Sequence, residues 1–189
     1  PDLVPADLAF SGDAAWNHTI QFSWSVGNSG ANPARGDWTD RVWLSADTTV
    51  DAGDALLATY DTGAQTPLAP ATAYDAESFA TLPVGPAGNL YLLIEADGNG
   101  RQVETNETNN TLAVPLYVNA PDLVVPAVLV PATGRTGDPI TVTWRVENSG
   151  AAPTAVNAWS DRVLLSADAV LGEDLVLATF AHSGGLDPA

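Results

Sequence analysis

The clearest alternation of apolar and polar positions is Ile20-Gln21-Phe22-Ser23-Trp24-Ser25-Val26, where Ile20, Phe22, Trp24 and Val26 are separated by polar neighbours. Side chains of an extended chain point to opposite faces in turn, so a period of two predicts a strand with one buried and one wet face. Asn28-Ser29-Gly30 then supplies the turn chemistry that ends it. In Asp40-Arg41-Val42-Trp43-Leu44-Ser45 the same alternation places Val42 and Leu44 inward, and Arg41 outward on the face it shares with Trp43. Further strands are expected at about 3–10, 56–60, 74–82, 90–96 and 111–118. No window sustains an i, i+3, i+4, i+7 apolar stripe, and 16 Gly and 14 Pro punctuate the chain, so helix content is expected to be low. Seven short strands with turns between them predict an all-β fold, an antiparallel sandwich of immunoglobulin-like type.

The pattern is written twice. Pro1-Asp2-Leu3-Val4 returns as Pro121-Asp122-Leu123-Val124, and Trp24 to Gly30 returns as Trp144 to Gly150, both 120 positions on. Asp40-Arg41-Val42 returns as Asp161-Arg162-Val163, 121 positions on, which marks a one-residue insertion. A period this long exceeds the roughly 20 to 50 residues of solenoid units, so each copy is expected to be a domain: 1–120 complete and 121–189 partial. Strand Ile140-Thr141-Val142-Thr143-Trp144-Arg145-Val146 keeps the parity of its counterpart. Copy two has no counterparts of the residues after about Leu68, hence none of the last three strands. Half a sandwich exposes strand edges and an apolar face. Either residues beyond Ala189 complete it, or strands of a neighbouring chain do so. Pro121 directly after the last strand of copy one predicts a stiff joint, and tandem sandwiches so joined make rods.

Charge narrows the partners. With 23 acidic against 6 basic residues the formal charge is −17, which repels nucleic acid and anionic membranes. No run approaches the roughly 18 apolar residues of a membrane helix, so no membrane insertion is expected within this segment. Zero Cys removes disulfides and thiolate metal sites. His18 and His182 occupy non-equivalent places and lack the partners of a catalytic triad or zinc site, and no glycine-rich phosphate loop opens a helix. No enzymatic function is expected from these residues.

Two constellations qualify as candidate sites. Asp47, Asp51 and Asp54 lie within eight residues and offer hard oxygen ligands for Ca²⁺, although the spacing is not that of an EF-hand loop. Turn-forming aspartates that bond their own backbone explain the same letters. Arg41 with Trp43 offers a stacking platform for a carbohydrate ligand, whereas Trp24, Trp144, Trp38 and Trp159 recur in register as packing residues. Asp97-Gly98-Asn99-Gly100 reads as a hairpin turn.

Four motifs in order resemble the CARDB family, the cell adhesion related domain found in bacteria. They are Pro-Asp-Leu at the entry, Trp-x-Val-x-Asn-x-Gly at 24–30, Asp-x-Val-x-Leu-Ser-x-Asp at 40–47 and Glu-Thr-Asn-Glu-Thr-Asn-Asn at 104–110. The resemblance covers copy one and the first half of copy two, as a tandem repeat. It implies a seven-stranded immunoglobulin-like module of extracellular, cell-surface location, without catalysis and without a particular ligand. The 104–110 stretch is expected to form a hydrogen-bonded corner holding the last strand, with Arg41 or backbone amides as donors to a buried carboxylate there. The expected function is a structural or adhesion repeat that spaces or assembles a surface protein or filament. Its expected partners are other copies or neighbouring repeats, by strand complementation. A Ca²⁺-binding or carbohydrate-binding surface module is the alternative.

Overall fold

The computed structural model describes residues 1–85 and 87–189, and the chain divides into two compact units, Pro1–Asn119 and Ala120–Ala189. The first unit carries β1 (Leu3–Ser11), β2 (Thr19–Asn28), β3 (Thr39–Ser45), β4 (Ala55–Asp61), β5 (Ala73–Thr81), β6 (Gly88–Glu95) and β7 (Thr111–Val118). They form two antiparallel sheets, ordered β1-β2-β5 and β4-β3-β6-β7. The alternation in β2 has the effect expected of it: Ile20, Phe22, Trp24 and Val26 are all buried, while Gln21 and Ser23 are exposed. Val42 and Leu44 of β3, Leu92 and Ile94 of β6, and Leu116 and Val118 of β7 complete the core from the other sheet. Burying such a side chain fully contributes about 1.5–3 kcal/mol, so this one cluster supplies most of the drive to fold in a chain without disulfides.

Both ends of the first unit are held by backbone hydrogen bonds. Asn119 N–H donates to Ala14 carbonyl at 2.8 Å, and Trp16 N–H donates to Asn119 carbonyl at 3.2 Å. At the other end Thr105 N–H donates to Pro1 carbonyl at 3.1 Å.

The second unit carries β8 (Leu123–Leu129), β9 (Thr143–Asn148), β10 (Ala158–Leu165) and β11 (Leu175–Ser183), paired as β8-β9 and β10-β11. Their registers agree with those of the first unit at both ends of the ladder. Leu123 faces Asn148 as Leu3 faces Asn28, and Leu129 faces Thr143 as Ala9 faces Ser23, but the slip falls between Ala6 and Ala9 in the first unit and two positions earlier, between Val124 and Ala127, in the second. Both second ladders slip after Val42 and Val163.

One expected strand is shortened. Residues 140–142 lie outside β9, and Ile140 is 45% exposed where Ile20 is fully buried. In the first unit the corresponding stretch of β2 is paired on its far side with β5, Thr19 to Thr81 through Phe22 to Ser78. Among the described residues no strand pairs with β9 on that side. Without a partner to take its backbone groups, an extended segment gains too little to be fixed.

Candidate functional site

The recurring motifs meet at a clasp where the chain enters each unit. Asn28, 1% exposed, uses its whole amide: Oδ1 accepts from Asp2 N–H at 3.0 Å and Gly30 N–H at 3.1 Å, while Nδ2 donates to the carbonyls of Asn32 and Leu68 at 2.8 and 3.1 Å. Ser29 adds a hydroxyl bond to the Asp2 carboxylate at 2.6 Å and a backbone bond to the Asp2 carbonyl at 2.8 Å. Gly30 is required by closeness, because a Cβ there would lie 2.6 Å from Pro1 C and 2.8 Å from Asp2 N. The second unit repeats each contact. Asn148 Oδ1 accepts from Asp122 and Gly150 N–H at 2.9 and 3.1 Å, Nδ2 donates to the carbonyls of Ala152 and Leu186, and Ser149 bonds Asp122. Pro-Asp-Leu and Asn-Ser-Gly are thus two halves of one device that seats the entry strand. The sequence marks Asn28 as a turn residue, but nothing local in it shows that the side chain is buried.

Between the sheets of the first unit lies a second feature, a buried polar network centred on Asp40, which is fully buried. Its Oδ2 accepts from Tyr74 hydroxyl at 2.5 Å and from Trp24 Nε1 at 3.1 Å, and Trp38 Nε1 donates to the Tyr74 oxygen at 3.3 Å. Burial raises the Asp40 carboxyl above its ordinary pKa, and the bonds from Tyr74 and Trp24 oppose that rise without cancelling it. Burial, then the Asp40 charge, push the Tyr74 hydroxyl up as well, so it stays a donor. Trp24 and Asp40 head two of the recurring motifs, but nothing in the motifs shows that they meet; the one local signal is the parity that sends Val42 and Leu44 inward and so sends Asp40 inward too. In the second unit Trp144 Nε1 donates to Asp161 Oδ2 at 3.0 Å, reproducing the pair of Trp24 with Asp40.

The 104–110 stretch does form a hydrogen-bonded corner, but it holds the entry strand as well as the start of β7. Glu104 accepts from Leu3 N–H and from Asn110 Nδ2, Glu107 accepts from Glu104 N–H at 2.9 Å, and Asn109 Nδ2 donates to Asp2 Oδ1 at 3.1 Å. The donors to Glu104 are therefore a backbone amide and an asparagine, not Arg41. Asp97-Gly98-Asn99-Gly100 does not form a hairpin joining two strands. It opens a long connection from β6 to β7, in which the Asp97 carboxylate accepts from Arg101 and Gln102 N–H at 2.8 and 2.7 Å.

Burial, reinforced by the charges of Glu107, Asp97 and Asp2, pushes the Glu104 carboxyl from its ordinary 4.5 up to about 7. Between those values the folded protein holds a proton that the unfolded chain has released, so stability is fully present below about pH 4.5 and is lost as pH rises toward 7. Thermal melts from pH 4.5 to 8 are expected to show a falling Tm. Glu104→Gln is expected to flatten the fall between pH 5 and 7; an unchanged slope would assign it instead to the other buried carboxyls that burial raises, Asp40 and Asp97, or to general repulsion within a chain of net charge −17.

The three candidate calcium ligands sit in the loop after β3, each engaged with its own backbone. Asp47 Oδ1 accepts from Thr49 N–H at 2.7 Å, Asp51 Oδ1 from Gly53 N–H at 2.6 Å, and Asp54 Oδ2 from Asp51 N–H at 2.8 Å. Asp168 and Asp174 repeat the habit, accepting from Val170 and Gly172 N–H. Among the described residues no group of three or more His, Asp or Glu is arranged to hold a metal ion. Arg41 and Trp43 lie half-buried on the outer face of β3. Trp43 Nε1 donates to Glu95 Oε2 at 3.1 Å, and the residue stands opposite Leu93, a fully buried side chain outside the main core cluster. The Arg41 side chain lies over Gly98, where a Cβ would come within 2.8 Å of Arg41 Cδ. Both outer residues are thus used in packing.

No curated protein matches the chain. Solved structures that resemble it include the CARDB domain of the PF1109 protein from Pyrococcus furiosus. A crystal structure of that domain in complex with di-metal ions is 20% identical, covering 62% of this chain and 93% of that one at a TM-score of 0.45. Its solution NMR structure is 19% identical, covering 62% and 94%, also at 0.45. β-Glucosidase 3B from Thermotoga neapolitana, in complex with α-D-glucose, is 17% identical over 61% of this chain but only 15% of its own length, at 0.41. The CARDB family model matches residues 1–114 of the 189, more than half of the chain. The chain therefore belongs to the CARDB family, a non-catalytic, cell-adhesion-related domain family of bacteria associated with cell-surface proteins.

Proposed function

We propose that this chain is an extracellular structural repeat that spaces or assembles a bacterial cell-surface protein or filament, with 1–120 a complete CARDB-type domain and 121–189 part of a second. The observation that carries this reading is the clasp built twice, with the same asparagine, serine and glycine closing on the same aspartate in both units. Residues that recur between copies are engaged in holding the fold, which favours a spacing role over chemistry. The partners are other copies or neighbouring repeats, joined by strand complementation. Exposed apolar residues of the second unit favour this, since Leu165 is 57% exposed where its counterpart Leu44 is 3% exposed.

A Ca²⁺-binding module is the reading to test against it, because Asp47, Asp51 and Asp54 share one loop. Isothermal titration of Ca²⁺ into chelator-treated protein is expected to give no saturable heat and an unchanged Tm. Saturable heat with a rise in Tm, abolished by Asp51→Asn, would favour the binding module instead.

A further inference from the structure

Three Asn-x-Thr triplets stand in the chain, at 17–19, 106–108 and 109–111, and the fold treats them differently. In the first and last of them the threonine belongs to a strand, Thr19 to β2 and Thr111 to β7. The Thr19 hydroxyl is paired with that of Thr81 across the ladder at 3.0 Å. Asn109 is half-buried, and its Nδ2 donates to Asp2 Oδ1 at 3.1 Å. Of the three, only the middle triplet lies wholly in the connection between β6 and β7, with Asn106, Glu107 and Thr108 all exposed. Its asparagine and threonine are also in contact with each other. Asn106 Oδ1 accepts from Thr108 N–H at 3.1 Å and from the Thr108 hydroxyl at 2.8 Å, which closes the triplet into a turn. Asn106 Nδ2 has no hydrogen-bond partner among the described residues.

An amide nitrogen is a poor nucleophile, because its lone pair is delocalised into the carbonyl. It becomes a competent one as Nδ2 gives up a proton, and the negative charge then gathers on Oδ1, where the two Thr108 donors already stand. We propose that Asn106 is the acceptor of an N-linked glycan, added by a transferase whose donor is a sugar joined at C1 to a lipid diphosphate. Nδ2 attacks C1, and the N–C1 bond forms as the C1–O bond to the diphosphate breaks. The diphosphate leaves with the electron pair, the amide proton passes to a carboxylate of the transferase, and nothing is oxidised or reduced. Asn109 carries the same signal three residues on, but its nitrogen is committed to the corner that holds the entry strand. Transfer of this kind takes place on the outer side of a membrane, so the assignment rests on the extracellular reading above and adds to it the class of group that the module carries.

The full 189-residue chain is incubated with a single-subunit oligosaccharyltransferase that accepts plain Asn-x-Thr signals and with its lipid-diphosphate-linked oligosaccharide, and the sugar is located by peptide mass spectrometry. The expected product carries one glycan, on Asn106, with Asn109 occupied at least about tenfold less because its amide must first leave the Asp2 carboxylate. Asn106→Gln is expected to abolish the addition and Asn109→Gln to leave it unchanged. A peptide of residues 101–113, which has no corner to hold it, is expected to accept at either asparagine. A bare Asn106 in the folded chain, or equal use of Asn17 or Asn109 there, would overturn the proposal. So would a peptide that repeats the preference of the folded chain, since the choice would then lie in the local sequence and not in the fold. Protein recovered from the cells that make it is mapped in the same way, after antibody labelling of the intact cells. A surface-labelled chain with a glycan on Asn106 is the expected result. A surface-labelled chain with a bare Asn106 overturns the proposal and leaves the structural role standing, whereas a chain that intact cells hide from antibody overturns the extracellular reading and this one with it.

Discussion

Asp40→Ala is expected to destabilise the first unit by about 3–5 kcal/mol, because it strands three buried donors, Trp24 Nε1, the Tyr74 hydroxyl and the Asp97 N–H, and leaves a void. Trp24 Nε1 and the Tyr74 hydroxyl both point at Asp40 Oδ2, and neither has access to water as an alternative in a side chain layer where Trp24 is 2% and Tyr74 6% exposed. Each orphaned donor costs about 1–3 kcal/mol, and the cavity adds to that. Asp40→Asn keeps an acceptor of the same shape and removes a charge that burial disfavours, so it is expected to cost only about 1 kcal/mol. Asp161→Ala supplies the internal comparison: its side chain is only half-buried and accepts one indole, so the loss is expected to stay below about 1 kcal/mol. Urea denaturation followed by tryptophan fluorescence measures all three. Equal losses for Asp40→Ala and Asp161→Ala would show that the network does not stabilise the interior of the first unit.

Gly30→Ala is the second large effect, expected at about 2–4 kcal/mol, and its cause is backbone contact. The new methyl would meet Pro1 C, Asp2 N and Pro1 Cα at 2.6 to 2.9 Å, and none of these can rotate aside. The entry strand must withdraw, which breaks the bond from Asp2 N–H to Asn28, the Ser29 pair with Asp2, and the seat of Leu3 against Glu104. Gly27→Ala is the control from the same segment. A Cβ there meets nothing closer than 3.8 Å, so its cost is expected to stay within about 1 kcal/mol. Thermal melts of the two variants are expected to separate clearly. Similar melting temperatures would mean that the clasp is not needed to hold β1.

The strands are legible in the sequence because each is short, apolar on one face and bounded by turn residues; β2, with its four inward residues in strict alternation, is the plainest case. Repetition adds information that alternation lacks, since it separates Trp24 and Trp38, which recur, from Trp43, which does not. Long-range partners are not legible. Tyr74 meets Asp40 from the opposite sheet, 34 residues away in sequence, and no local pattern announces such a pair. Asn28 reads only as a turn residue, because asparagine serves equally in exposed turns and as a buried amide with four bonds. The shortened β9 departs from expectation for a different reason: residues 140–142 have a strand's pattern, but a pattern becomes a strand only where a neighbour accepts its hydrogen bonds.

Single-molecule pulling on the two ends of this chain tests the structural role most directly. Entry at Pro1–Leu3 and exit at Val118–Asn119 are both held by hydrogen bonds, so the first unit is expected to resist as one body. The predicted trace has one cooperative rupture releasing roughly 3.6 Å per residue over 119 residues, about 40 nm, at a force lowered by Gly30→Ala. Smooth extension without a discrete rupture, or a rupture force indifferent to Gly30→Ala, would contradict the assignment of this CARDB module as a clasped structural repeat.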